Sequence, residues 1–338
     1  MTEPRVKDWT SEIFTVSVDS GYKELIRSFF LFAALSGVVW LSLFSLYRGL
    51  PYVQNGSQAV SEEKWRIARL GPVFGPAKAF QVVAFGNSKT LAGFRPDIFD
   101  EALGPSSASY NFAIPGEERF VDLLETMLKA GTRPTHVLVQ QLPDYDQQTL
   151  LDRLRADKPI VNWLFPFRSF VRDIIVFVYE SRQAGGVRAK YRENAEQIAQ
   201  SVLDRGYFFI KSQSHFPGDR LPDGYSLPTD KPAEAAPRRI RPEAESFGDL
   251  LRLAEQYDFQ VLLVPVSYRP GEFAPPPSDN AKARASVEPF SRVRVLGPAY
   301  WTQEVSDFSD PVHLNRQGAE AYSRRLADTV SSWIRTGL

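Results

Sequence analysis

The chain has 338 residues, 43% of them apolar and 24% charged, with 40 basic side chains balanced by 40 acidic ones. That composition excludes wholesale disorder, and a net charge of zero offers no basic surface for nucleic acid. The absence of cysteine excludes disulfides, thiolate metal sites and thiol catalysis, and His136, His215 and His313 are too few for a histidine-rich centre, so no metal or other cofactor is expected.

Residues 1–27 read as a charged N-terminal tail. Residues 28–47, SFFLFAALSGVVWLSLFSLY, then run without a charge between Arg27 and Arg48. Twenty helical residues rise about 30 Å, the thickness of a bilayer's hydrocarbon core. A buried core helix is the competing reading, but the unbroken apolar run favours a transmembrane anchor. A cleavable signal peptide fits poorly, because the run exceeds an ordinary h-region and a long charged tail precedes it. Trp40 and Tyr47 lie towards its C-terminal end, where Tyr47 suits a membrane interface. Lys23 and Arg27 on one side nearly balance Arg48, Lys64 and Arg66 on the other. The lack of cysteine and the long C-terminal portion point to an extracytoplasmic main domain with a cytoplasmic tail: a single-pass protein of the cell membrane, periplasmic or on the outer face.

Residues 48–78, punctuated by Gly49, Pro51, Gly56, Gly71, Pro72, Gly75 and Pro76, read as a linker with one short helix near 61–69. From 79 to 338 a strand-and-helix rhythm predicts an α/β domain. Strands are expected at 79–85, 108–112, 136–142, 259–267 and 292–297. Helices are expected at 117–131, 243–257 and 316–334, the last with Asn315 as its N-cap. The strands are apolar throughout rather than alternating, as in a parallel sheet covered on both faces, so the expected architecture is three-layer α/β/α. Residues 150–243 form a mid-chain insertion. It contains an aromatic patch from Trp163 to Tyr179, a charged helical stretch at 186–204 and a proline- and glycine-rich loop at 216–243. A second proline-rich loop covers 270–284.

Ligands of open parallel sheets sit beyond the carboxyl ends of the strands. Polar groups gather there at Gly86-Asn87-Ser88, at Asn111 to Gly116 and at Gln140-Gln141 to Asp146, and Asp310-Pro311-Val312-His313 precedes the last helix. A hydroxyl nucleophile needs a base, and the base an orienting acceptor. Asp310, three residues before His313, can hold one imidazole nitrogen while the other faces Ser88. The Ser88 backbone N–H and that of Gly116, which has no side chain, are candidate oxyanion donors. Asn87, Lys89 and Asn111 are candidate substrate contacts. Plainer readings stand beside these: Ser88 as a turn or cap, His313 as a packed histidine, Lys89 as a solvated side chain rather than a guide for an anion. His136, opening a strand, reads as structural. His215, in the insertion, is either a surface residue or one that reaches substrate.

This set of motifs resembles the SGNH, or GDSL-like, hydrolase superfamily. Gly86-Asn87-Ser88-Lys89-Thr90 after a strand is similar to its first block, Tyr110 to Gly116 to its second, and Asp310-Pro311-Val312-His313 with Leu314-Asn315 to its last. The resemblance covers about 79–334 with the middle unmatched. Asn87 stands where an Asp is usual, and the third block's asparagine has no clear counterpart, leaving Gln141 as the candidate side-chain donor. What the resemblance implies is a flavodoxin-like sheet and a triad of Ser88, His313 and Asp310. With the anchor, the chain resembles the membrane-tethered branch that works beside membrane-bound O-acyltransferases, such as the D-alanyl-lipoteichoic acid biosynthesis protein and the alginate O-acetyltransferases. An acyltransferase of a cell-envelope polysaccharide or glycolipid is therefore expected, acetyl being the expected acyl group and a membrane-bound O-acyltransferase the expected partner. A carboxylic-ester hydrolase with the same triad and a catalytically idle glycan-binding or scaffold module remain as alternatives.

Overall fold

A computed structural model describes residues 21–53, 56–75, 78–116, 119–146, 170–210, 216–228, 230, 240–272 and 281–336. His215 and Trp163 lie outside the described residues, as do parts of both proline-rich loops.

Among the described residues five strands form one parallel sheet: β1 (Phe80–Phe85), β2 (Ser107–Asn111), β3 (His136–Val139), β4 (Gln260–Leu263) and β6 (Val293–Val295), in the order β2-β1-β3-β4-β6. The register sets Val82 beside His136 and Val83 beside Tyr110. Alternation of side chains then sends Val83, Phe85, Val137, Val139, Val261 and Leu263 to one face. Val82, Ala84, Leu138, Leu262 and Val264 go to the other. Because both sets are apolar, each face needs a covering layer, which is why these strands show no polar alternation.

Helices supply both layers. On the first face lie α2 (Gly56–Leu70), α5 (Val121–Lys129), α8 (Glu245–Tyr257) and α9 (Ala281–Val287), contributing Ala68, Met127, Phe247, Leu250 and Val287. On the second lie α4 (Pro96–Leu103) and α10 (Arg316–Thr336), contributing Phe99, Tyr322, Leu326 and Val330. Burying one such side chain stabilises the fold by about 1.5–3 kcal/mol. Asn315 caps α10 as expected, its Oδ1 accepting from Gly318 N–H at 2.9 Å.

Several elements depart from the sequence reading. Between β1 and β2 stand two short helices that the periodicity does not reveal, α3 (Ser88–Gly93) and α4, since six and eight residues carry too few turns for a clear pattern. The expected strand 259–267 divides at Val264-Pro265, because proline has no N–H to donate to a ladder. Its second part, β5 (Val266–Tyr268), pairs in parallel with β7 (Tyr300–Thr302) in a separate small sheet. The loop expected at 270–284 ends in α9. The linker expected at 48–78 is largely a helix docked on the domain: α2 buries Val60, Lys64 and Ala68. Lys64 enters the protein because its Nζ reaches two carbonyls, donating to Asn111 O at 2.6 Å and Gly206 O at 2.8 Å. Burial pushes its pKa well below the ordinary lysine value.

Within the expected insertion, α6 (Phe170–Gln183) and α7 (Val187–Leu203) make a helical hairpin. At the N-terminus, α1 (Gly21–Gly49) is long and apolar enough to cross a membrane over Tyr22–Leu46, and none of that stretch is buried in the protein. It contains the expected 28–47 and extends it at both ends.

Candidate functional site

The loop between β7 and α10 places an acid beside an imidazole. Phe308 and Leu314 pair as an antiparallel bridge, Ser309 N–H donates to His313 O at 2.9 Å, and Asn315 N–H donates to Asp307 O at 2.8 Å. Inside this clasp Asp310 Oδ1 accepts the N–H groups of Val312 at 2.7 Å and His313 at 2.8 Å, the local bonding that aspartate favours in turns. Its Oδ2 lies 2.7 Å from His313 Nδ1. Both residues are buried, at 4% and 6% exposure.

Burial alone would raise the Asp310 pKa. The hydrogen bond and charge of His313, with the two backbone donors, outweigh it and hold the carboxyl below its ordinary value. An ionised carboxylate only accepts, so in the uncharged form of the ring the proton is on Nδ1. The lone pair is then on Nε2, which is buried and has no hydrogen-bond partner among the described residues. A buried acceptor left without a donor costs about 1–3 kcal/mol, a cost that a bound hydroxyl removes.

The other half of the expected site follows β1. Gly86 is required by packing: a Cβ there would collide with Thr90 Oγ1 and stand 2.8 Å from Thr90 Cβ. Asn87 is the N-cap of α3, its Oδ1 accepting from Lys89 N–H at 2.9 Å. Ser88 is the half-buried first residue of that helix. Its hydroxyl is not bonded to His313, whose Nε2 has no partner among the described residues.

The two halves are neighbours. A Cβ on Gly93 would lie 3.4 Å from Leu314 Cδ1, and the Lys89 ammonium feels the Asp310 carboxylate. Lys89 is not a solvated side chain: it is 15% exposed, 3.7 Å from Glu272 Oε1 and 4.2 Å from the Tyr268 ring centre. Burial lowers its pKa, while Glu272 pulls the other way.

The remaining candidates divide. Gly116 is exposed at φ +65°, a conformation suited to glycine, on a strand extension that Ile114 N–H ties to Gly86 O at 3.0 Å. Gln141 is exposed just beyond β3, whereas its neighbour Gln140 is buried and donates to Tyr322 Oη at 3.1 Å. Asn111 faces inward rather than towards a ligand: it is fully buried, its Nδ2 donates to the carbonyls of Thr90, Leu91 and Phe94, and its Oδ1 accepts from Ala113 N–H. It clamps α3 against the end of β2. His136 is a packed residue, with Nδ1 2.8 Å from Thr135 Oγ1 and the rings of Phe80 and Trp333 beside it. Burial lowers its pKa to about 4. Among the described residues no group of acidic and histidine side chains could hold a metal ion.

One pair that the sequence reading passes over supports the dyad. Arg269, 2% exposed, donates through Nε to Pro311 O at 2.8 Å and through its two terminal nitrogens to Asp230 at 2.9 and 3.1 Å. The planar guanidinium thus braces the acid–imidazole loop against the insertion. The available signal was a charge directly after an apolar strand, since a buried charge requires a partner.

No protein-family model, curated protein or solved structure matches this chain.

Proposed function

We propose that the chain is a membrane-anchored serine acyltransferase of SGNH type, built on a flavodoxin-like sheet. It would move an acyl group, acetyl by expectation, onto a polysaccharide or glycolipid of the cell envelope beside a membrane-bound O-acyltransferase. The observation that carries this reading is the buried Asp310–His313 pair, whose Nε2 has no partner among the described residues and whose loop packs, through Leu314, on the helix that Ser88 opens after β1. Catalytic hydrogen bonds in an unliganded protein are often long and close only around substrate, so an unbonded Ser88 is compatible with the role.

In this mechanism His313 Nε2 takes the proton of Ser88 Oγ as that oxygen attacks the acyl carbonyl. The backbone N–H groups of Ser88 and Gly116 face the oxyanion, with the Gln141 amide as the candidate third donor. The imidazolium returns the proton to the departing oxygen, leaving an acyl ester on Ser88. An acceptor hydroxyl then attacks this ester while His313 again takes its proton. Collapse of the second tetrahedral intermediate restores Ser88 and releases the acylated glycan. Asp310 fixes the tautomer throughout and stabilises each imidazolium. The anchor α1 would keep the reaction at a membrane surface, with the domain outside the cytoplasm.

The test is acyl capture by the full chain in detergent micelles. Incubation with an activated acetyl ester should add one acetyl group at Ser88, detectable by peptide mass, and the Ser88→Ala chain should take up none there. Supplying an envelope glycan should yield acylated glycan ahead of free acetate. Free acetate alone would make the chain an ester hydrolase, and an unacylated Ser88 would overturn the nucleophile assignment.

A further inference from the structure

The hairpin of α6 and α7 has an inverted surface. Along α6 the residues turned inward are Asp173, Phe177 and Ser181, at 2%, 6% and 3% exposure, so a carboxylate and a hydroxyl are buried. The residues turned outward are Ile175 at 63%, Val176 at 43%, Val178 at 45% and Tyr179 at 64%. A helix that faces water places these classes the other way round. Arg172 and Arg182 are exposed at either end of the apolar stretch.

The position of this face indicates what covers it. The apolar stretch of α1 ends at Leu46, and a 3-10 turn at Pro51–Val53 follows directly. Five residues of helical rise amount to about 8 Å, so the turn lies near the membrane boundary when α1 spans the bilayer. Both helices of the hairpin pack on that turn. Tyr52 O accepts from Asn194 Nδ2 of α7 at 2.8 Å, and the Tyr52 and Tyr191 rings meet edge to face at 5.2 Å. The hairpin that carries the apolar face is therefore tied to the foot of the anchor.

We propose that α6 is an interfacial helix: Ile175, Val176, Val178 and Tyr179 enter the boundary between lipid headgroups and acyl chains, and Arg172 and Arg182 reach back to the phosphates. The inference rests on α1 being a membrane anchor. The physical basis is the usual one for helices lying in an interface, an apolar face in the hydrocarbon boundary with basic residues at headgroup level. The second contact would fix the tilt of the domain on the membrane, which a single membrane-spanning helix does not do alone.

The absence of natural cysteine makes the test clean, because each introduced cysteine is unique. Full-length chains carrying a nitroxide at Ile175→Cys, Tyr179→Cys, Val39→Cys or Glu255→Cys are reconstituted alone into vesicles of phosphatidylcholine with a minor share of phosphatidylglycerol. Collisions with oxygen, which partitions into lipid, and with a water-soluble nickel chelate report the depth of each label. Positions 175 and 179 are exposed on α6, and Glu255 is exposed on α8, so the labels fit the fold. The expected result is an oxygen-to-nickel ratio at 175 and 179 several-fold above that at 255, approaching that at 39. Equal ratios at 175, 179 and 255, with a lipid-like ratio at 39, would overturn the proposal and leave the anchor standing. Labels at 175 and 179 shielded from both reagents would also overturn it, making the occupant protein rather than lipid. A water-like ratio at 39 would remove the anchor, and the proposal with it.

Discussion

Replacing Asp310 with asparagine separates the chemistry of the dyad from its structural contribution. The amide oxygen can continue to accept from the N–H groups of Val312 and His313, now at 2.7 and 2.8 Å, but the amide nitrogen then faces His313 Nδ1. Because that nitrogen donates, Nδ1 must accept, and the ring proton moves to Nε2, where it abolishes the base. For folding, one charge-assisted hydrogen bond of about 1.5–3 kcal/mol is exchanged for a neutral one of about 1 kcal/mol, so stability should fall by only about 0.5–2 kcal/mol. For catalysis, the wrong tautomer in a serine triad costs about 10⁴-fold, which is about 5.5 kcal/mol in the barrier. That disproportion is the diagnostic. The assay is turnover of an activated acetyl ester by the full chain in micelles, alongside urea unfolding and the ¹⁵N shifts of the His313 ring. A rate loss below about tenfold, or a wild-type ring already protonated at Nε2, would refute the assignment of Nε2 as the base.

Three further outcomes follow from the geometry. Asp230→Asn leaves Arg269 charged and buried without its carboxylate, so the urea transition should shift by about 3 kcal/mol; a loss under about 1 kcal/mol would mean that water reaches the guanidinium. His136 is held neutral by burial, with its pKa lowered to about 4 against about 6.5 in the unfolded chain, so the unfolded chain takes up the proton first. Stability should be intact above about pH 7 and fall by about 2 kcal/mol between there and about pH 4.5, a slope absent in His136→Phe and measurable by urea unfolding at a series of pH values. Gly86→Ala drives a methyl into Thr90 and should cost about 1–3 kcal/mol by thermal or urea unfolding, whereas a neutral change would show that α3 can shift.

Much of the sheet was legible because its signal is local. An apolar run such as Val82 to Phe85 must be buried on both faces wherever it sits, and the Asn315 cap and the apolar face of the last helix are written within a few residues. The unbroken run inside α1 is legible for the same reason, since length and hydropathy are properties of the segment itself. Asp310 and His313 were also readable as a pair, because a separation of three residues in a tight turn lets an aspartate hold both the backbone and the imidazole.

What the tertiary structure alone decided depends on partners far away in the chain. Asn111 is turned into a clamp because α3 and its C-cap Phe94, about twenty residues earlier, present three carbonyls to it. Lys64 is drawn into the protein by the carbonyls of Asn111 and Gly206, which converts an apparent linker into a docked helix. Arg269 becomes a brace only because Asp230 and Pro311 converge on it. The inverted face of α6 becomes informative only once the hairpin is seen against the turn that leaves α1. A residue's own chemistry states what it requires; the fold decides which distant group meets that requirement, because the free energy of burying a polar atom is set by the partners brought to it.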